Sequence, residues 1–502
     1  MSLSIVNSRS GAGISAPLIT IESHLGNGLP AFSIVGLPEK AVQESRERVR
    51  AAITNSEFEF PARRITINLA PADVPKEGSR FDLPIAVGIL AATGDIPQQQ
   101  IPHYELIGEL ALSGGIRPIS GVLPAALAAH RNGKKLIVPA ANAEEASRVT
   151  GLEVYAVAHL LEVTEHFNQT RLIEPFNAEY EEVTDYSVPD LSEIISQEAA
   201  KRGLIIAAAG GHSLLMTGPP GTGKTMLANR LPGLLPGMTT DEALENAAIR
   251  SVAGQEFDVS RWRIRPFRSP HHSASAAALV GGGTIPRPGE ISLAHNGVLF
   301  LDELPEFERR VLEALREPLE NGAITISRAG RQADFPARFQ LIAAMNPCPC
   351  GHLGDPRRNC RCSSEQISRY RNKISGPLLD RIDIQIEVAA LPAEKLLAKP
   401  GATITSHEVR QHVERTHRIQ LQRQLRLNSQ LNVKQIEEYC VLQPGDETLL
   451  LQAIESLTLS HRAYHRVLKL ARTIADYDRR QQIETAHLTE AIRYRSLERT
   501  AG

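Results

Sequence analysis

Short apolar runs recur along this chain, and helix-like stretches separate them. KLIVPA (135–140), HSLLMT (212–217), GVLFLDE (297–303) and FQLIAAMNP (339–347) each carry several consecutive apolar residues, and ITINLA (65–70) is strand-like by alternation. Such runs suit strands buried within a sheet, since a strand with one wet face would alternate. Helix-like stretches lie at 40–54, at 124–132 and at MLANRL (226–231), the last directly after a Gly-rich loop. The alternation of strand and helix predicts an α/β fold with a parallel sheet covered by helices over residues 191–391. Residues 392–502 read as helical, with a basic stretch at 409–428 and an amphipathic run at 460–477. The first 170 residues also alternate strands and helices. Residues 171–190 are acidic, carry Pro175 and Pro189, and read as a linker. ITISR and RQADF flank Ala329-Gly330, which predicts a β-hairpin with Arg328 and Arg331 at its tip. No repeat of solenoid period is present.

Composition narrows the class. A chain of 502 residues exceeds one hydrophobic core, and 42% hydrophobic with 22% charged residues is ordinary for a globular protein. The formal net charge of −2 means that any nucleic-acid surface is a local basic patch. No charged stretch followed by an apolar core opens the chain, and no run approaches 18 apolar residues. The expectation is a cytoplasmic protein without a membrane span.

Chemistry concentrates in the middle. GPPGTGKT, comprising Gly218, Pro219, Pro220, Gly221, Thr222, Gly223, Lys224 and Thr225, follows an apolar strand and opens a helix. In that context the glycines let backbone N–H groups turn towards phosphate oxygens, and the helix N-terminus favours their charge. Lys224 would reach the β- and γ-phosphates of ATP and Thr225 would hold Mg²⁺. GVLFLDE ends in two carboxylates: Asp302 for the Mg²⁺ shell and Glu303 to orient and deprotonate water. The next apolar strand ends in Asn346, placed to hold that water, or serving as a turn residue. The span from Lys224 to Asp302 exceeds the roughly 60 residues that two strand–helix–strand units need, so it has room for an insertion.

This order of motifs, with GPLLDRID (376–383) and SHRAYHRVLKLARTIAD (460–476) after it, resembles the AAA+ ATPases, in particular the branch of magnesium chelatase and the MCM helicases. The resemblance implies a P-loop ATPase domain with a helical lid. It assigns Arg381 as a finger acting across a subunit boundary, against the alternative of an ion pair with Asp380 or Asp383. Arg462 would be a second arginine, supplied by the lid. RPFRSPHHSASAAALVGGGTIPRPGE (265–290) resembles the helix-2 insert of that branch, and the 323–339 hairpin resembles the one before the Asn strand. Both would project into a ring's pore, making His271, His272, Arg328 and Arg331 DNA-contact candidates. Loop or solvated-surface roles are the alternatives, and a solvated lid face is the simpler reading of 409–428.

VPKEGSRFDLPIAVGIL (74–90) and GELALSGGIRPISGVLP (108–124) resemble the Lon protease domain, an S5 domain 2-like α/β fold. The dyad positions fall on Arg80 and Pro124, with Ser79 and Lys76 nearby, so no peptidase is expected. Together these features are similar to the ComM/YifB family, over nearly the whole chain. That resemblance implies a homo-oligomeric, hexameric helicase that drives branch migration on single-stranded, double-stranded or branched DNA, with recombination proteins as partners. The family's Gly-Gln near adenine is Ser196-Gln197 here, which leaves Gln197 as the adenine-side residue. A chelatase-like metal-insertion motor and a protein remodeller are the competing functions.

Four of the five cysteines lie in CPCGHLGDPRRNCRC (348–362). Cys348, Cys350, Cys360 and Cys362 form two C-x-C pairs, which suits four thiolates on a tetrahedral Zn²⁺. A redox switch, free thiols, and His352 as a ligand are the alternatives. No acid, base or open position stands beside the cluster, so the zinc expected here is a brace.

Overall fold

A computed structural model describes residues 2–11, 13–76, 78–177, 188–255, 257–258, 261–283, 286–328, 331–390, 404–457 and 460–495. Two sheets organise it. The first has seven strands in the order Ala31–Val35, Arg64–Ala70, Leu18–Gly26, Ser2–Arg9, Tyr104–Leu106, Lys135–Pro139, Val154–Val157. Its strands Ser2–Arg9, Leu18–Gly26 and Arg64–Ala70 are antiparallel, and the remaining pairings are parallel. The helix Asp82–Thr93 packs across the antiparallel strands, and its side chains are almost all buried. The helix read at 40–54 is broken at Glu44 into Lys40–Gln43 and Ser45–Asn55.

Lys76 and Ser79 do not meet as a dyad. The Lys76 ammonium donates to the Pro71 carbonyl, and the Ser79 hydroxyl donates to Glu109. Arg80 donates to the Ser120 carbonyl and lies against Gly121 and Gly11. Pro124 stands in the first turn of the helix Val122–Arg131.

The second sheet has five parallel strands in the order Phe267–Arg268, Val298–Leu301, Gln340–Met345, Leu214–Thr217, Ile384–Glu387. Numbered along the chain, that order is 2-3-4-1-5. The central strands are buried along their length, which is why they read as unbroken apolar runs. Helices Glu198–Gly210 and Lys224–Leu234 share one core with the C-terminal helices. The basic helix Ser406–Gln424 is not a freely solvated face. Val409, Val413, Thr416, Gln420 and Gln424 are buried, and His417 and Gln420 donate to the Ala208 and Ala209 carbonyls.

The two sheets meet through the helices Val122–Arg131 and Thr240–Val252, whose apolar residues form a shared core. Ser251 donates to Glu145, and the Arg148 guanidinium stacks on Trp262 at 5.2 Å. No described helix is long and apolar enough to cross a membrane.

Candidate nucleotide site

The loop 218–223 leaves the carboxyl end of Leu214–Thr217, and the helix Lys224–Leu234 starts at Lys224. Two glycines are required by geometry. A Cβ on Gly218 would stand 2.2 Å from the Val388 carbonyl oxygen, and Gly223, at φ +92°, turns the chain into the helix. The Lys224 ammonium lies over the loop. It donates to the Gly218 and Pro219 carbonyls at 2.6 and 2.9 Å and to Asn346 Oδ1 at 3.2 Å. Burial lowers its pKa, and Asp302 and Glu303 act in the opposite direction.

Asn346 follows the adjacent strand Gln340–Met345, and Asp302 follows Val298–Leu301. The Thr225 hydroxyl donates to Asp302 Oδ2 at 2.7 Å. A hydroxyl and a carboxylate side by side, the first exposed and the second half-buried, are hard oxygen ligands of the kind Mg²⁺ takes. Glu303 has a left-handed backbone, φ 52°, and its amide donates to Asp302 Oδ1 at 2.9 Å. Its carboxylate meets His272 Nδ1 at 3.2 Å, a contact between segments remote in sequence that no local pattern announces. His271 stacks on His272 with ring centroids 4.1 Å apart and pairs with the Ser273 hydroxyl. Gln197, left-handed at φ 62°, donates to the Ala389 carbonyl at 2.8 Å and the Thr222 carbonyl at 3.4 Å, so it borders the phosphate loop.

The four cysteines converge. Cys348 Sγ lies 3.4 Å from Cys350 Sγ and 3.6 Å from Cys360 Sγ; Cys350 and Cys360 are 3.7 Å apart, and all four sulfurs fall within 4.8 Å of one another. Tetrahedral zinc with Zn–S bonds of about 2.3 Å requires sulfurs about 3.8 Å apart, so the set fits. Backbone N–H groups of Arg361 and His352 lower the Cys350 pKa to about 6. His352 pairs with Asp355 at 3.3 Å and stands outside the thiolate set. The knuckle touches the phosphate loop: a Cβ on Gly351 would be 2.8 Å from Pro220 Cδ.

Arg381 and Arg462 are not brought to Lys224. Arg381 precedes the strand Ile384–Glu387, which runs parallel to Leu214–Thr217. It therefore lies at the amino edge of the sheet, and the phosphate loop leaves the carboxyl edge. Four residues of strand, about 13 Å, separate the two edges. Arg381 is 6% exposed and pairs with Glu320 and the Pro377 carbonyl, not with Asp380 or Asp383. Glu320 lies 61 residues upstream of Arg381, far outside its local sequence neighbourhood. Arg462 is exposed at the start of the helix His461–Tyr477, whose cap Ser460 contacts Asp380 at 3.4 Å, so it shares Arg381's edge. A cleft of about 1290 Å³ runs along this edge between sheet and lid.

The hairpin Ala323–Arg328/Arg331–Pro336 forms with Arg328 opposite Arg331. Residues 329–330 and the two arginine side chains lie outside the described residues. A second short hairpin, Gly281–Gly282 with Arg287–Pro288, packs beside it; a Cβ on Gly281 would meet Ile326 Cδ1 at 2.5 Å.

A phosphate loop on the first strand, paired carboxylates on the third and an asparagine on the fourth of a 2-3-4-1-5 parallel sheet define a magnesium-chelatase-like P-loop protein. Family models agree: "Magnesium chelatase, subunit ChlI" matches residues 190–396, "Subunit ChlI of Mg-chelatase" residues 21–142, and "Magnesium chelatase, subunit ChlI C-terminal" residues 403–495. Within that class the chain belongs to the ComM/YifB family. Competence protein ComM of Haemophilus influenzae is 53% identical over 503 residues, covering 99% of this chain and 98% of its own length. The uncharacterized protein YifB of Escherichia coli is 50% identical over 505 residues, again 99% and 98%. DNA replication licensing factor MCM6 of Arabidopsis thaliana is 23% identical over 225 residues, 41% of this chain and 24% of its own length.

Proposed function

We propose that this protein is a cytoplasmic, ATP-driven DNA motor, a hexameric ring that migrates branched DNA while single-stranded DNA is integrated during natural transformation and homologous recombination. The observation that carries the reading is the split of the site across the sheet. Lys224, Thr225, Asp302, Glu303 and Asn346 gather at one edge, and Arg381 and Arg462 at the other. A finger on the far edge can serve only the nucleotide of a neighbour, and a head-to-tail contact of that kind closes into a ring. The competence role in a relative's name supports the pathway.

Lys224 moves from its loop carbonyls to the β- and γ-phosphates of ATP, and Asn346 and Glu303 hold the attacking water, with Glu303 taking its proton. Thr225 and Asp302 would hold Mg²⁺, which when bound would supply charge neutralisation. Arg381 of the adjoining subunit meets charge developing on the γ-phosphoryl oxygens, aided by Arg462. The paired hairpins, with Arg328, Arg331, His271 and His272 nearby, grip the phosphate backbone in the pore. Zinc on the four cysteines braces the loop joining Asn346 to the Arg381 segment. Residues 1–170 form an inactive Lon-like collar, joined by residues 171–190 to the motor at 191–391 and its lid at 392–502.

The test is strand displacement on forked and four-way DNA with ATP, run beside the Glu303→Gln variant. Unwinding that this variant abolishes is expected. ATP turnover without DNA binding or movement would reject the motor and favour a chelatase-like or protein-remodelling ATPase.

A further inference from the structure

The backbone that carries Arg381 is gripped by the C-terminal helices. Arg466, on the helix His461–Tyr477, donates to the Arg381 carbonyl at 2.9 Å and pairs with Asp383 through the same nitrogen. Arg495 is fully buried and donates to the Ile382 carbonyl. The other Asp383 oxygen meets His212 Nδ1 at 2.9 Å, and His212 Nε2 meets the Thr473 hydroxyl at 2.7 Å. His212 sits at the amino edge of the sheet, just before Leu214–Thr217, so sheet, finger segment and lid share one buried relay. Gly210 makes room for it: a Cβ there would stand 2.4 Å from the His212 ring and 2.6 Å from the Thr473 hydroxyl. Burial alone would raise the Asp383 pKa, but Arg466 and His212 outweigh it and hold the carboxyl well below the usual range.

The Arg381 side chain is held differently. The guanidinium is 6% exposed, donates to the Pro377 carbonyl at 2.6 Å and pairs with half-exposed Glu320, and its Nε has no partner among the described residues. An exposed carboxylate is a weak, replaceable partner, whereas buried charged hydrogen bonds to carbonyls are strong. The backbone is therefore held by the lid, and of the guanidinium's two partners the Glu320 carboxylate is the one open to exchange.

We propose that Arg466, backed by Arg495 and the Asp383–His212–Thr473 relay, is a positioning residue that aims Arg381 at the neighbouring subunit's triphosphate and ties that aim to the lid. The proposal rests on the reading of Arg381 as a finger acting in trans, and the experiment separates the two.

ATP turnover of full-length Arg466→Ala is measured alone and mixed with full-length Lys224→Ala. The first chain has an intact phosphate loop and a misplaced finger; the second has an intact finger and no phosphate lysine. A mixture of Arg381→Ala with Lys224→Ala is the reference. Misplacing a catalytic group by about 1 Å costs up to roughly 100-fold, so kcat of Arg466→Ala alone should fall about 10- to 100-fold, with KM for ATP within about twofold. Mixing should restore turnover several-fold above the summed separate rates, and Arg466→Lys should recover part of the loss. Complementation by the Arg381→Ala pair but not by the Arg466→Ala pair would overturn the positioning role and leave the finger intact. Failure of both mixtures would reject the finger, and the positioning role with it. If Arg466→Ala does not fold, Asp383→Asn, which keeps the side-chain shape, is read by the same criteria.

Discussion

At the scale of single residues, the contact between His272 and Glu303 bears most directly on rate. Glu303 adopts a left-handed backbone that a non-glycine residue holds at a cost of about 1 kcal/mol or more. Its amide donates to Asp302, and its carboxylate meets the imidazole of His272. A carboxylate held by His272 is not free to take the proton that the proposed mechanism assigns to it. Both side chains are partly exposed, and pairs of this kind are worth about 0–1 kcal/mol. The restraint is therefore weak enough for movement of the adjoining insert to release it. His272→Ala should raise ATP turnover without DNA by about two- to fivefold, the rate equivalent of that energy. Steady-state ATPase assays check this; an unchanged or lower basal rate would show that His272 does not restrain Glu303.

At the scale of elements, the cysteine knuckle is the clearest test of a local reading. Gly351 lies on Pro220, so a knuckle that loses its fold loses a wall of the phosphate loop. One zinc per chain is expected by metal analysis. Cys360→Ser should lower both zinc content and Tm and raise KM for ATP by several-fold, because structural zinc contributes folding energy outright. Zinc-free protein with unchanged melting would remove the metal from the picture. The elements that sequence made legible share a feature. Strands 214–217, 298–301 and 340–345 are buried on both faces, and their chemistry sits at their ends, so apolar run and polar terminus appear together. The knuckle is equally local. The hidden contacts join residues far apart: Arg381 with Glu320 at a separation of 61, Arg466 with Asp383 at 83, and His212 with Asp383 at 171. No periodicity links such partners, because only the folded chain brings them together. For the same reason the helix 409–428 read as a basic surface, although its buried stripe of Val409, Val413 and Gln420 packs against the core.

At the scale of the whole molecule, the question is where a chain of net charge −2 can hold DNA. Global attraction is absent, so binding has to come from a few cations presented together. On the proposed reading the hairpin Ala323–Arg328/Arg331–Pro336 supplies them, because its register pairs Arg328 with Arg331 on its last rung. The neighbouring Gly281–Gly282 hairpin lies against the strand Ala323–Arg328, so the two hairpins pack together. A ring would repeat them around its axis and multiply a weak grip by the number of subunits. Replacing Arg328 and Arg331 together by Ala should therefore weaken binding to single-stranded DNA of any sequence. Each lost phosphate contact reduces the log–log slope of affinity against salt by about 0.7, so removing two should reduce it by up to about 1.4 for every subunit engaged. Fluorescence anisotropy on a labelled oligonucleotide across a salt series measures both quantities. A lower affinity with an unchanged slope would mean that the substitutions damage the hairpin without removing phosphate contacts. Unchanged affinity would place the DNA path elsewhere on the molecule.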